Sequence, residues 1–315
     1  MTRRTLRLTR RQAVASLLIA MTPPTATADA SGPELASYYD RHMALRDGVA
    51  WAWAGRGEAR VAARGVRQVG VGRRHWYTLL DDGRLQRRAD LADEPTVLMR
   101  GLRRFASGES GWFGIDAAGV LWHGRDGQAP QAVTEPVVER IAEDVVDACI
   151  GDGADYYVTR DGRLWVKGLA HRGQYGDGRL AASDRFVATA TDAVAVRAHT
   201  GHALHLRRDG VVMGTGGNRY GPLSSHGLGD KADRWGRLFD GAVAIATGSR
   251  HSAALRADGS LWVWGEGFGI EPRKLRDGVR AVAAGDTATI ALTVEGEVWQ
   301  WEGGGAPSKV LLGPR

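Results

Sequence analysis

A sevenfold self-similarity constrains what this chain can fold into more than any other feature. Residues 245–265, IATGSRHSAALRADGSLWVWG, contain two short alternating apolar runs on either side of a tight turn. The first run ends at Leu255, Asp258-Gly259 reverses the chain, and Leu261-Trp262-Val263-Trp264 begins the return, which is the pattern of a β-hairpin. With the turn glycine as origin, copies fall at Gly48, Gly83, Gly119, Gly162, Gly210, Gly259 and Gly296. Eleven residues earlier stand Ser37, Gly72, Gly108, Gly151, His199, Gly248 and Gly285, so the offset holds without a gap. Four residues before each turn the side chain is apolar (Ala44, Leu79, Ile115, Val158, Leu206, Leu255, Leu292). Three after it come Trp51, Gln86, Trp122, Trp165, Met213, Trp262 and Trp299, so both flanks of the turn are expected to be buried.

The turns are 35, 36, 43, 48, 49 and 37 residues apart, a spacing typical of repeat arrays. One hairpin cannot bury its own faces, so each unit must stack on its neighbours. Seven short β units with glycine turns and about one tryptophan apiece predict an all-β, seven-bladed β-propeller. The pattern G-x-x-H-x-x-A-L-x-x-D-G-x-L-W-x-W-G, nearly complete at 248–265, resembles the regulator of chromosome condensation repeat family. His75, His202 and His251 hold the motif's histidine position, and 174–178 and 218–221 resemble the family's loop after the second strand. The resemblance extends from about Gly32 onward and implies the same seven-bladed fold. It does not imply one function, because such propellers include exchange factors, chromatin-associated proteins and secreted β-lactamase inhibitors, the last being closest in style to this chain.

A recurrent Pro-x-x-apolar signature precedes several units, at Pro95, Pro130 and Pro272, and returns at Pro307 after the last hairpin. The first unit lacks a clear incoming strand. Residues 308–312 are therefore expected to complete the first blade and close the ring.

The first thirty residues differ in kind from the rest. Five arginines without an acid, the apolar run 13–21 and Ala26-Thr27-Ala28 form the three parts of a secretory signal, predicting 1–28 as a leader and 29–315 as one propeller domain. Cleavage is expected after Ala28 or Ala30, with export by the twin-arginine or the Sec route and a periplasmic or extracellular destination. The apolar run is too short for a stable membrane span. Without the leader's five arginines, 37 basic residues face 36 acidic ones. This near-neutral balance argues against a nucleic-acid partner, which needs a clustered basic excess. The one cysteine, Cys149, cannot form an internal disulfide and lies in the apolar run 145–150, as a small buried residue would.

Recognition is expected where the repeats differ. The connections over 170–192 and 217–240 are the longest, and they carry Tyr175, Asp177, Arg219 and Tyr220. Trp76 and Trp112 occupy matching positions in adjacent units and, by alternation, face away from Tyr77 and Phe113. Exposed, they would form an anchor pair for a protein partner; buried, they are blade packing. These six residues are the candidate binding set. His199, His202 and His205 do not share one strand face, so no metal site is expected, and the calcium-loop, Walker and GxSxG patterns are absent, so neither a cofactor nor a catalytic residue is assigned. The expected protein is a monomeric, exported, non-catalytic propeller that binds another protein through one loop face. The alternative is an envelope enzyme with a site assembled from loops, acting on a glycan or peptidoglycan fragment.

Overall fold

The structure, a computed structural model, describes residues 34–125, 138–226 and 229–313. The leader and the Pro130 signature lie outside these residues. Twenty-eight strands form seven four-stranded sheets, and each blade is a consecutive antiparallel meander. The first blade comprises β1 (Leu35–Tyr38), β2 (Arg41–Arg46), β3 (Val49–Ala54) and β4 (Arg60–Arg64). The innermost strands of the others are β5 (Val66–Val71), β9 (Leu102–Ser107), β13 (Val145–Ile150), β17 (Ala193–Ala198), β21 (Ala242–Thr247) and β25 (Val279–Ala284), and with β1 they surround a central channel of about 430 Å³.

Each predicted hairpin forms the middle two strands of a blade. All seven turn glycines have a left-handed backbone, with φ between 73° and 86°, where a Cβ would be strained. The turns also join the blades: six times the turn-glycine carbonyl accepts the N–H that opens the next inner strand, as in Val66 to Gly48 and Val279 to Gly259, at 2.9–3.1 Å. Four of the five glycines eleven residues upstream have a different role. At Gly72, Gly108 and Gly248 a Cβ would run into the backbone carbonyl of the next blade, and at Gly285 into that of Tyr39 in the first. The blades converge there, and only glycine lets the backbones approach.

The channel does not close by strand exchange. Residues 308–310 form β28, the outer strand of the seventh blade, paired with β27 (Val298–Glu302). The first blade is complete from its own residues, because β1, which contains the repeat position Ser37, is the incoming strand that looked absent. The Pro-x-x-apolar signature marks the outer strand that ends a blade. The ring is closed by a backbone bond, the Asp286 N–H donating to Tyr39 O at 3.2 Å, and by side chains. Trp53 Nε1 donates to Gln300 Oε1 at 2.9 Å, Gln300 Nε2 donates to the Gly55 carbonyl at 2.9 Å, and Arg280 pairs with Glu34.

Both faces of every blade are covered by neighbours, so alternate side chains are core in both directions. Tyr77 and Phe113 are fully buried, as expected, but so is Trp112, and Trp76 is 8% exposed. The tryptophans three residues past the turn lie nearer the rim. Trp122, Trp165, Trp262 and Trp299 are partly buried and pack on the preceding blade. Trp262 also lies under the Arg256 guanidinium, 4.7 Å from the ring centre.

Candidate functional site

Antiparallel meanders place two kinds of connection on opposite faces. The glycine hairpin turns and the links between blades lie on one, here the turn face. The short turns after the inner strands and the long loops before the outer strands lie on the other, the loop face. On the loop face, the residue immediately after each repeat position lies at the end of an inner strand. Around the ring these are Tyr38, Arg73, Glu109, Asp152, Thr200, Ser249 and Asp286. Of these Tyr38 lines the channel, and side-chain hydrogen bonds join Tyr38 to Glu109, Arg73 to Glu109, and Thr200 to Asp152 and Ser249.

Tyr38 spans the channel mouth from the first blade. Its hydroxyl donates to Glu109 Oε2 at 2.7 Å, and its ring stacks on His199 of the fifth blade. Burial and the bond to Glu109 raise its ionisation well above the ordinary tyrosine range. Glu109 also accepts from Arg73. Burial and the neighbouring Glu109 carboxylate raise the pKa of Asp152, which accepts from Thr200 Oγ1 at 3.2 Å. His199 stands where five other units have glycine, so its side chain enters the mouth. The Thr200 N–H donates to His199 Nδ1 at 2.9 Å, which leaves the proton on Nε2, a buried atom without a partner. Burial lowers this imidazole to about 4, so it is neutral at neutral pH. The mouth is thus a plugged polar network in which Tyr38, Arg73, Glu109, Asp152 and Thr200 are linked by side-chain hydrogen bonds or neighbouring charge.

A second group on the same face is open to solvent. Tyr220 is 41% exposed between two guanidinium groups, with Arg250 Cζ 4.7 Å and Arg219 Cζ 5.8 Å from its ring centre. Ile270 is 59% exposed beside it, lying 3.4 Å from the Cβ that Gly221 lacks. Leu169 and Leu180, from the fourth blade's long loop, are also exposed. The loop bearing Tyr220 is held firmly: the Pro222 carbonyl accepts from Trp264 Nε1 at 2.7 Å and from Ser252 Oγ at 2.8 Å, and Asn218 Oδ1 accepts the Leu223 N–H at 2.9 Å.

Of the six candidate binding residues, Arg219 and Tyr220 are exposed on this face. Asp177 is partly buried and pairs with Arg179 at 2.7 Å. The other three are packing residues that a partner cannot reach. Tyr175 is fully buried and pins its own loop, its hydroxyl donating to Gly168 O at 3.0 Å and accepting from Ser183 N at 3.1 Å. Trp112 lies against Gly124, and Trp76 lies beneath the Arg41 guanidinium at 4.0 Å. Sequence reasoning missed Tyr38, Glu109, Asp152, Arg250 and Ile270. The departure from glycine at Ser37 and His199 was the available signal for the mouth.

Two of the three repeat histidines tie neighbouring blades together. His202 Nε2 meets Ser252 Oγ at 3.2 Å and His251 Nε2 meets Thr289 Oγ1 at 2.9 Å, each reaching into the next blade. His205 stacks on Trp235, with ring centres 4.5 Å apart. Among the described residues no group of three His, Cys, Asp or Glu side chains is placed to hold a metal ion, and no helix is long and apolar enough to cross a membrane. Cys149 is buried, accepts the Ala198 N–H at 3.2 Å, and has its thiol pushed up to about 11 by burial.

Residues 242–268 match the Regulator of chromosome condensation (RCC1) repeat. The fold is similar to that of Prp20p from Saccharomyces cerevisiae, whose structure was described with its binding properties to Gsp1p and histones. That match has 17% identity and a TM-score of 0.65, and covers 80% of each chain. Human WBSCR16 is similar at 16% identity and a TM-score of 0.61, over 90% of this chain and 81% of that one. Yeast RCC1 (Prp20) bound to Kap60 is similar at 16% identity and a TM-score of 0.59, over 85% and 69%.

Proposed function

We infer that this RCC1-repeat propeller is an exported, non-catalytic protein that holds a protein partner on its loop face, around Tyr220, Arg250 and Ile270. One observation carries the reading: a half-exposed tyrosine fixed between two arginines beside an exposed isoleucine, on a loop anchored to the core through Pro222. Tyrosine and arginine are the residue types that dominate binding energy at protein interfaces, and a pre-ordered loop loses little entropy on binding. The structurally similar Prp20p binds Gsp1p and histones, which supports a protein as the class of partner. Export rests on the N-terminal leader, and inhibition of the bound partner is the finer form of this reading. Capture of one protein from the source cell's envelope by the chain, with loss of at least about tenfold in the Tyr220→Ala/Ile270→Ala variant, tests the face. Mass spectrometry of the exported product tests the leader, which predicts Asp29 or Ser31 as the first residue.

A second reading, an enzyme acting on a glycan fragment, is favoured by one feature, the Glu109–Asp152 pair with its raised carboxyl. It requires Tyr38 to leave the mouth. Glycan turnover abolished by Asp152→Asn in a folded protein would establish it over the binding role.

A further inference from the structure

The links between blades on the turn face differ in a way that the repeat does not require. Before the second and third blades they read Arg64-Gly65-Val66-Arg67 and Arg100-Gly101-Leu102-Arg103. Before the next four they read Glu143-Asp144-Val145-Val146, Thr191-Asp192-Ala193-Val194, Asp240-Gly241-Ala242-Val243 and Asp277-Gly278-Val279-Arg280. The second residue is left-handed in all six, with φ from 55° to 75°, so the turn geometry is common to all. The doubled arginines are an addition to it.

The two arginine turns are neighbours. The hairpin turn of the second blade lies between them, with the Asp81 N–H donating to Gly65 O at 2.9 Å and the Leu102 N–H donating to Gly83 O at 3.1 Å. Arg67 bridges directly from the first turn to the Leu102 carbonyl of the second. Arg64, Arg100 and Arg103 are exposed and, among the described residues, none is within ion-pair distance of a carboxylate, although the charge of Arg100 is felt by Asp82. Further in, Arg104 and Arg197 share the single buried carboxylate of Asp147. The charge is segregated along the whole chain. Residues 41–104 hold 14 arginines against 7 acids, whereas the rest of 29–315 holds 23 basic residues against 29 acidic ones.

We propose that these two turns form a docking surface for a short acidic segment of a protein partner, whose carboxylates are taken by Arg64, Arg100 and Arg103. Charge complementarity gives the surface its selectivity, and planar guanidinium groups match carboxylates with paired hydrogen bonds. A short segment fits better than a long polyanion for two reasons. The exposed Asp81 and Asp82 divide the positive strip, and a polymer running past the sector meets the net negative charge of the other blades. Nucleic acid is further disfavoured because the only large exposed apolar side chain between residues 41 and 104 is Val61, so no exposed aromatic ring is available for base stacking. The surface lies on the face opposite Tyr220 and stands or falls independently of that site.

The test is a fluorescence anisotropy titration of the full chain against a labelled Asp/Glu/Gly peptide at low salt, beside a labelled oligothymidylate of equal charge. The Arg64→Glu/Arg100→Glu/Arg103→Glu variant is compared with Arg160→Glu/Arg208→Glu/Arg237→Glu, which makes the same change of charge on distant blades. The wild type and the distant variant should bind the peptide alike, and the sector variant at least about tenfold more weakly, with the affinity falling as salt is added. Arg64→Gln/Arg103→Gln should show an intermediate loss and serves if the reversal variant does not fold. Equal losses in the two reversal variants, no peptide binding by the wild type at low salt, or tighter binding of the oligothymidylate than of the peptide would each overturn the proposal.

Discussion

The ring of Tyr38, in the first blade, lies flat against that of His199, in the fifth, with centroids 4.9 Å apart and planes 24° from parallel. One aromatic pair thus spans the channel and caps it on the loop face. The Tyr38 hydroxyl is tied to Glu109 of the third blade, so three blades meet at a single side chain. Tyr38→Phe should keep the stack and lose only the bond to a carboxylate, costing about 1.5–3 kcal/mol in denaturant unfolding. Tyr38→Ala should cost more and admit solvent to the channel, seen as faster exchange of inner-strand amides.

Acid should destabilise the protein before its ordinary carboxylates titrate. Burial lowers His42, His123, His199, His205 and His251 to about 4 and His202 to about 3. The folded state therefore binds fewer protons than the unfolded state, whose histidines titrate near 6.5. Their stabilisation is complete above about 6.5 and is lost progressively as the pH falls toward about 4. Asp155, pushed up to about 6 by burial, and Asp152, raised by burial and by Glu109, act in the opposite sense over part of that window, but they are two groups against six. The melting temperature should fall steeply between pH 6.5 and pH 4.5.

His205 isolates that effect. Both its ring nitrogens are buried without partners, and it stacks on Trp235. His205→Phe preserves an aromatic stack and removes the group that must stay neutral. The variant should match or exceed the wild type at pH 8 and exceed it clearly at pH 5. An unchanged difference between the two pH values would remove His205 from the account.

The two tryptophans of the most regular repeat should separate in size of effect. Trp264 is fully buried and donates to Pro222 O, whereas Trp262 is partly exposed. Trp264→Ala should cost about 3–5 kcal/mol and loosen residues 218–226, while Trp262→Ala should cost less.

Much of the fold was legible because the physics that builds a blade repeats. Turn glycines need a left-handed backbone, inner glycines need close approach, and both recur at fixed offsets. The closure was misread because an outer strand at the chain end looks the same whether it completes the last blade or the first. Truncation of 306–315 should be a mild change, since it removes a three-residue outer strand and the bond from Arg46 to Gly313 O but none of the inner strands. Leu35→Asp, which breaks the first inner strand at a position 4% exposed, should be the more damaging change in a thermal melt. For Trp76 and Trp112 alternation gives the direction but not the exposure, because both faces of a blade are buried; of the two readings left open, blade packing holds. The site was the least legible part. Tyr38, Glu109 and Asp152 occupy the variable position just after the repeat position, and the exposure of Ile270 depends on a neighbouring blade's loop.

Site-specific photocrosslinking in the source cell tests for a protein partner on the loop face. A benzophenone side chain is placed at Tyr220, at Ile270 and, on the turn face, at Val294, which is 60% exposed. The account predicts one shared protein adduct at Tyr220 and Ile270 and none of that mass at Val294. The same adduct at all three positions, or none at Tyr220 and Ile270, would contradict it.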